Sequence, residues 1–321
     1  MRNESMPDPI QQARGRILAV IVLYKTAPGD SASFRTLRAS IEESPDPSLV
    51  KMFFYDNTPG GQPEAKIPEG TSCESHAKNS GLATAYNRAL AIALEEGYDW
   101  LLTLDQDTSL PLDFVTQLSV ATSYALTLPT VGAVVPQIRD RQRLISPMVL
   151  RLRMLPKFIA EEFVGIALDP TISAVNSAAA VRVSALKSIG GYDPRFTLDY
   201  SDAVMFSRLQ KNGFRLFVAG NIRVQHELSV MDMKNRVSYE RYEDILGAES
   251  AFWDECMGGV AGLALLLRFS YRALYKFWRT GGSFAYVKIS ARYFWRRLAY
   301  SRERRMELWQ ESLRRRFSSS L

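Results

Sequence analysis

Apolar positions along the chain fall into two rhythms. Ile17–Tyr24, Trp100–Leu104 and Val131–Pro136 are near-continuous apolar runs, the pattern of strands covered on both faces. Val50–Tyr55 reads as another strand, ended by Asp56-Asn57-Thr58-Pro59-Gly60-Gly61, a run rich in turn residues. Between these runs the period lengthens. Ser33–Glu42, Leu82–Glu95 and Val115–Leu126 predict helices, the first stopped by Pro45 and Pro47 and the second with Leu82, Ala85, Ala89, Ile92 and Ala93 on one face. Alternating strands and helices predict an α/β fold, a mainly parallel sheet with helices on both faces. Such sheets bind ligands at the carboxyl ends of their strands. Three polar clusters stand there: Tyr24-Lys25, Asp56-Asn57 and Asp105-Gln106-Asp107.

The second half is less regular. Arg139 to Pro156 is basic and poorly periodic, and reads as a mobile loop beside the site. Ordered structure resumes at Thr171–Val183, followed by a helix at Val183–Ile189 and the turn Gly190-Gly191-Tyr192-Asp193. A helix over Ala203–Asn212 ends at Gly213, and Phe214–Val218 and Ile222–Gln225 read as two short strands. Residues 1–15, polar and with Pro7 and Pro9, are expected to be a disordered lead-in. No internal repeat is present.

Composition narrows the chemistry. The 321 residues include only Cys73, Cys256, His76 and His226, which leaves neither a disulfide framework nor a Cys- or His-rich metal site. No segment approaches the ~20 apolar residues that span a bilayer, and no signal peptide is expected. The net charge of +6 is unevenly spread. From Val260 onward fourteen Lys and Arg face three Glu, a net of +11, against 26 basic and 31 acidic residues before it. Within this tail Leu263, Leu266, Leu267, Tyr271, Leu274, Tyr275 and Trp278 recur at helical spacing, with Arg268, Arg272, Lys276 and Arg279 as a separate basic row. Beyond Gly281-Gly282 the pattern returns, with Phe284, Val287, Ala291, Phe294, Trp295 and Leu298 apolar and Lys288, Arg292 and Arg296 basic. Amphipathic helices of this kind suit an anionic membrane surface. Packing on the body or an oligomer interface is the alternative. No nucleic-acid fold accompanies the basic tail, so nucleic acid is not expected as a partner.

Asp105-Gln106-Asp107 is the sharpest chemical signal. Two carboxylates separated by one residue, just past a buried strand, suit a hard divalent cation that takes its other ligands from substrate phosphates. Asn79-Ser80-Gly81 opens the Leu82 helix, whose amino end is a candidate phosphate site. Asp199-Tyr200-Ser201-Asp202 precedes the helix that carries Arg208, and one of its carboxylates is a candidate general base.

Taken together and in order, "ILAVIVLYK", "MFFYDNTPGG", "KNSGLATAYNRAL", "WLLTLDQDTSLP", "ALKSIGGYDPRF", "DYSDAVMFSRLQKNGFRLFV" and "VQHE" resemble glycosyltransferase family 2, of the GT-A fold, and are most similar to bacterial rhamnosyltransferase-like members. The resemblance covers about residues 16 to 230. It implies a metal-dependent inverting hexosyltransferase that uses Mg2+ or Mn2+. Tyr24 and Lys25 would line the nucleotide pocket, Asp56 would bind the nucleobase, and Asn79 and Gly81 would lie beside ribose and diphosphate. Asp105 would contact ribose or the metal, Asp107 would ligate the metal, and His226 would lie near the diphosphate as a further metal ligand. Gly191, Asp193 and Asp199 fall on the acceptor side, and Asp202 stands where the family places its base. It also implies a catalytic domain over 16–259, with a donor half to 136 and an acceptor half from 137, and a separate tail over 260–321. The implied partners are a nucleotide-diphosphate sugar, dTDP-rhamnose among the candidates, and a cell-surface glycan or lipid-linked saccharide acceptor. The expected location is cytoplasmic, peripheral on the inner face of the plasma membrane. The sequence departs from the family at Ser177-Ala178, where relatives often have Ser-Gly. The competing reading is an inactive sugar-nucleotide-binding or scaffolding protein. A sugar-nucleotidyltransferase would need a glycine-rich basic loop where this chain has Tyr24-Lys25-Thr26-Ala27-Pro28-Gly29-Asp30.

Overall fold

A computed structural model of the chain describes residues 15–62, 65–151, 155–226, 237–257, 261–279 and 284–318. Nearly all of the expected lead-in and the Gly281-Gly282 break lie outside the described residues.

In chain order the elements are β1 (Ile17–Leu23), α1 (Ala32–Glu43), β2 (Val50–Asp56), β3 (Ser72–Ser75), α2 (Leu82–Glu95), β4 (Trp100–Asp105), β5 (Thr108–Ser109), α3 (Phe114–Leu126) and β6 (Val131–Asp140). Then come β7 (Arg143–Ser146), β8 (Met148–Arg151), β9 (Leu155–Phe158), β10 (Val164–Ala167), β11 (Ile172–Ser173), β12 (Ala179–Arg182), α4 (Val183–Ser188), α5 (Ser201–Lys211) and β13 (Arg215–His226). Four helices follow the last strand: α6 (Tyr239–Phe252), extended by a π-turn over Trp253–Met257, α7 (Ala261–Arg279), α8 (Phe284–Ala299) and α9 (Arg302–Ser318).

The main sheet runs β10-β13-β6-β12-β4-β1-β2-β3. β1, β2, β3 and β4 are parallel, and β12 enters antiparallel between β4 and β6. Strand β1 shows why the apolar runs are continuous. Leu18, Val20 and Val22 face a core shared with α2, α4 and α5, while Ile17, Ala19, Ile21 and Leu23 face a second core shared with α1 and α3. Both faces are dry, so every position is apolar. The result is a Rossmann-like mixed sheet with helices on both faces, with further helices at the C-terminal end.

Two sequence expectations change. The stretch from Arg139 to Pro156 is not a loop. Strand β6 continues to Asp140, turns at Arg141 with a positive φ of 55°, and returns as β7. Met148–Arg151 and Leu155–Phe158 then pair with each other, and β11 joins them as a small second sheet. Its strands are too short and too charged for the period-two signal to stand out. The two strands expected after Gly213 are one, β13, with an irregularity between Ala219 and Arg223. Gly220 lies there because a Cβ on it would meet the Phe163 carbonyl at 2.4 Å.

A third core holds the C-terminal helices. Leu265 and Phe269 of α7, Tyr286, Ile289 and Tyr293 of α8, and Trp309 of α9 pack with Leu246 and Phe252 of α6 and with Phe196 and Val204 beside the site. No helix among the described residues is long and apolar enough to cross a membrane.

Candidate functional site

The carboxyl ends of β1, β2 and β4 lie side by side. Leu23 is opposite Asp56, and Val22 is opposite Asp105. This register delivers Tyr24-Lys25, Asp56 and Asp105 to one rim of the sheet. Tyr24 is exposed, with the Lys25 ammonium 5.2 Å from its ring centroid. Asp56 is buried, and its Oδ1 accepts hydrogen bonds from the Thr58 N–H (2.9 Å) and Gln62 Nε2 (3.1 Å). The Lys25 N–H donates to Thr58 Oγ1 at 2.7 Å, which locks the β1 and β2 loops together.

The Asn79–Gly81 loop is held by Asn57, which the sequence placed among the polar residues at the strand ends without a role of its own. Asn57 Oδ1 accepts from the Ser80 N–H (3.1 Å) and hydroxyl (2.9 Å), and its Nδ2 donates to the Gly81 carbonyl at 3.2 Å. Gly81 has a φ of +82°, and a Cβ there would meet the Thr197 carbonyl at 2.7 Å, so both conformation and contact require glycine. The first N–H of α2, from Leu82, donates to that same Thr197 carbonyl at 2.6 Å. One donor of the expected phosphate site is thus already committed to the chain itself.

Asp105, Asp107 and His226 form the second cluster. Antiparallel pairing of β5 with β13 sets His226 opposite Thr108, which brings the end of β13 to the Asp-x-Asp turn. His226 Nδ1 lies 3.4 Å from Asp107 Oδ1 and 3.1 Å from Thr108 Oγ1, and its Nε2 lies 3.7 Å from Asp105 Oδ2. Gln106 turns the other way and accepts from the Tyr24 N–H at 2.7 Å, which leaves the flanking carboxylates on the open side. Asp105 is further fixed by the Tyr86 hydroxyl (3.3 Å) and by the Ser177 hydroxyl. Among the described residues no three His, Cys, Asp or Glu side chains converge as a closed metal cage. Two carboxylates, one of them half exposed, with an imidazole alongside, suit an Mg2+ or Mn2+ that completes its shell with phosphate oxygens and water.

Asp202 sits in the first turn of α5, after Tyr200 in a left-handed conformation (φ 62°). Its Oδ1 accepts from the Ala203 N–H at 2.7 Å, and among the described residues it has no cationic partner. Burial pushes its carboxyl up to about 6, and the charges of Asp105 and Asp199 add to the shift. Its rival is spent: Asp199 is paired in two hydrogen bonds with Arg241 of α6. The two carboxylate clusters share a wall. Tyr86 and Tyr192 have ring centroids 4.9 Å apart, and burial raises both phenols well above the ordinary range, with Asp105 and Asp202 contributing. Asn87 fixes this wall through two 2.8 Å hydrogen bonds to the Tyr192 backbone. Gly191 makes this possible, since its φ is +78° and a Cβ would lie 2.5 Å from Asn87 Oδ1.

Asp193, expected on the acceptor side, is buried, and it pairs with Arg195 and Arg208. Burial alone would raise its carboxyl, but the hydrogen bonds from Arg195 and the charges of Arg195 and Arg208 hold it below the usual range. It ties the Gly191 turn to α5.

The structure therefore brings Tyr24, Lys25, Asp56, Asn79, Gly81, Asp105, Asp107, Asp202 and His226 to one end of the sheet, with Asp193 and Asp199 engaged behind it. Sequence reasoning gave no role to Asn57, Tyr86, Asn87 or Tyr192. The one available signal was a polar Asn inside the otherwise small and apolar face of α2.

No family model matches the chain, and no curated protein matches it. Solved structures do. A crystal structure of GalNAc-T7 with UDP, GalNAc and Mn2+ aligns with a TM-score of 0.57 and 14% identity over 88% of this chain; the chain spans 56% of that protein. Residues 1–349 of S. aureus TarS align with a TM-score of 0.53 and 12% identity over 82% of this chain and 74% of that one. Mannosyltransferase PcManGT from Pyrobaculum calidifontis, in complex with GDP-Man and Mn2+, gives 0.51 and 19% over 88% and 87%. At these identities the likeness establishes the GT-A architecture.

Proposed function

We propose that the protein is a metal-dependent inverting glycosyltransferase that moves a sugar from a nucleoside-diphosphate donor to a saccharide hydroxyl. One observation carries this reading. Asp202, with no ion-pair partner among the described residues, and Asp105, two residues from Asp107, both bear on the packed Tyr86–Tyr192 pair, which joins the two acidic clusters. The solved neighbours that hold UDP or GDP-Man with Mn2+ support the donor class.

In this reading the Lys25 and Asp56 loops take the nucleoside, and Asp105, Asp107 and His226 would hold a Mg2+ or Mn2+, which would supply charge stabilisation to the leaving group. Asp202 accepts the proton of the acceptor hydroxyl, whose oxygen bonds to the anomeric carbon. The bond from that carbon to the diphosphate breaks, and its electron pair leaves with the nucleotide. A single displacement inverts the anomeric centre. L-Rhamnose is the sugar the sequence resemblance favours. The acceptor is a cell-surface glycan or lipid-linked saccharide, reached from the inner face of the plasma membrane.

The test is a panel of nucleotide sugars, dTDP-rhamnose included, scored for binding and for nucleoside diphosphate release with Mn2+ or Mg2+. At least one donor is expected to bind and turn over. Binding without turnover on any acceptor points to the inactive scaffolding alternative, and no binding at all rejects the donor site.

A further inference from the structure

Helix α7 is apolar on its outer face as well as on the inner face that carries Leu265 and Phe269. At about 100° per residue, Leu263, Leu267, Tyr271, Leu274 and Trp278 fall within an arc of about 80°. These five face solvent, 56–88% exposed. The opposite side carries the charge. Arg268 and Arg272 turn inward and pair with Glu249 of α6, which is fully buried, the Arg272 contact at 2.8 Å. Lys276 lies over the Tyr242 and Tyr286 rings at 5.4 and 5.2 Å. Arg268, Arg272 and Lys276 are thus engaged by α6 and α8, and the apolar row Leu263 to Trp278 is presented outside. A surface helix of a soluble protein keeps its outer face polar.

Helix α8 continues the surface. It packs beside α7 and lays its buried residues on α6, with Tyr242 and Ser290 hydroxyls 2.8 Å apart and Phe269 against Tyr293. Its outer side exposes Phe284, Trp295 and Leu298. Lys288 and Arg292 share that side with Phe284 and Trp295 by helical spacing and are exposed.

We infer that the outer faces of α7 and α8 seat the protein on an anionic lipid bilayer by shallow insertion of this Leu, Tyr and Trp stripe. Charge favours lipid over a second copy. A two-fold contact would set Lys288 against its own copy in an apolar patch, whereas anionic headgroups neutralise it; Arg292 is already paired with Glu243 at 2.7 Å. The tail's excess of Lys and Arg over Glu has the same sign. The aromatic stripe makes insertion the main contribution, and the basic residues select the lipid. Arg268 and Arg272 contribute nothing to it. The inference deepens the membrane-side reading above, and its assay needs no sugar donor, so the two fail separately.

The experiment is flotation of the full chain with phosphatidylcholine vesicles, with and without phosphatidylglycerol, at low and high salt. Wild type is expected to float with phosphatidylglycerol vesicles and to stay largely bound at high salt, with tryptophan emission shifted to the blue. The triple variant Leu267→Gln, Leu274→Gln, Trp278→Gln changes only exposed side chains and is expected to lower partitioning about tenfold or more, since buried apolar area drives interfacial binding. Lys288→Gln is expected to reduce the preference for phosphatidylglycerol and leave a salt-resistant remainder. Triple-variant flotation equal to wild type overturns the inference. So does a wild-type dimer in sedimentation equilibrium that the triple variant dissociates, in a protein that ignores vesicles.

Discussion

At the scale of single residues, Asp202 is a compromise between chemistry and stability. A general base must be ionised, so turnover is expected to fall as pH drops below about 6, the value to which burial lifts this carboxyl. A pH–rate profile checks this. Asp202→Asn is expected to cost roughly 10²–10⁴-fold in turnover with donor affinity kept. The same raised pKa works against the fold. A carboxyl with a higher pKa folded than unfolded binds more protons when folded, so stability from this group falls as pH rises from about 4 to about 6, then levels off. Asp202→Asn is therefore expected to raise the melting temperature at pH 7 and to do so less at pH 4. Asp199→Asn removes the Arg241 partner and should lower stability more than chemistry. At the metal pair, Asp107→Ala and treatment of the wild type with EDTA are each expected to abolish most turnover; full activity in either removes the cation from the site. Ala178 shows the limits of reading by residue type. Its φ is +64°, the left-handed region, which is why a glycine is natural at that position.

At the scale of elements, the sheet and helices up to α3, the helices α4 and α5, and the helical repeats of α7 and α8 were legible, while α6 and the short strands between β6 and β12 were not. β1, β2, β4 and the helices after them matched their expected bounds within about two residues, within the usual uncertainty of element ends. Their sequence signal is strong because both sheet faces are buried. Strand β3 and the β8–β9 sheet left almost no trace, since edge and short strands alternate weakly, and β13 was read as two strands because Gly220 breaks the run. The Asp-x-Asp turn could be read from residue type and order, whereas Asp202 was chosen over Asp199 only through the family resemblance. That Asp193 and Asp199 are consumed by arginines could not be read, because Arg208 and Arg241 reach them only through tertiary packing. The α6–α7 joint is the element contact most open to measurement. Glu249→Ala leaves two guanidinium groups without their carboxylate. Because Arg268 and Arg272 keep 32% and 24% exposure, the expected loss is about 2 kcal/mol, below the full cost of a stranded buried charge. Urea denaturation reads it, and an unchanged midpoint would mean that the pair is idle.

At the scale of the whole molecule, the tail shares its core with the region of the site. Phe196 packs on Trp309 with ring centroids 4.7 Å apart, Asp254 binds Arg297 and Arg305, and Tyr200, two residues before the base, packs on Phe252 of α6 at 5.2 Å. A chain cut before Val260 is expected to lose solubility and its cooperative transition, and the intact chain is expected to melt in one step by calorimetry. A separate, earlier melting of α7–α9 would show the tail to be an independent unit.

The buried Glu249 also sets where this chain can be recombined. Its charge is written in one helix and answered by two arginines in the next, so neither helix is interchangeable alone. A hybrid joined at residue 260 would unite a carboxylate with strangers, while a join ahead of Tyr239 would let lock and key be inherited together.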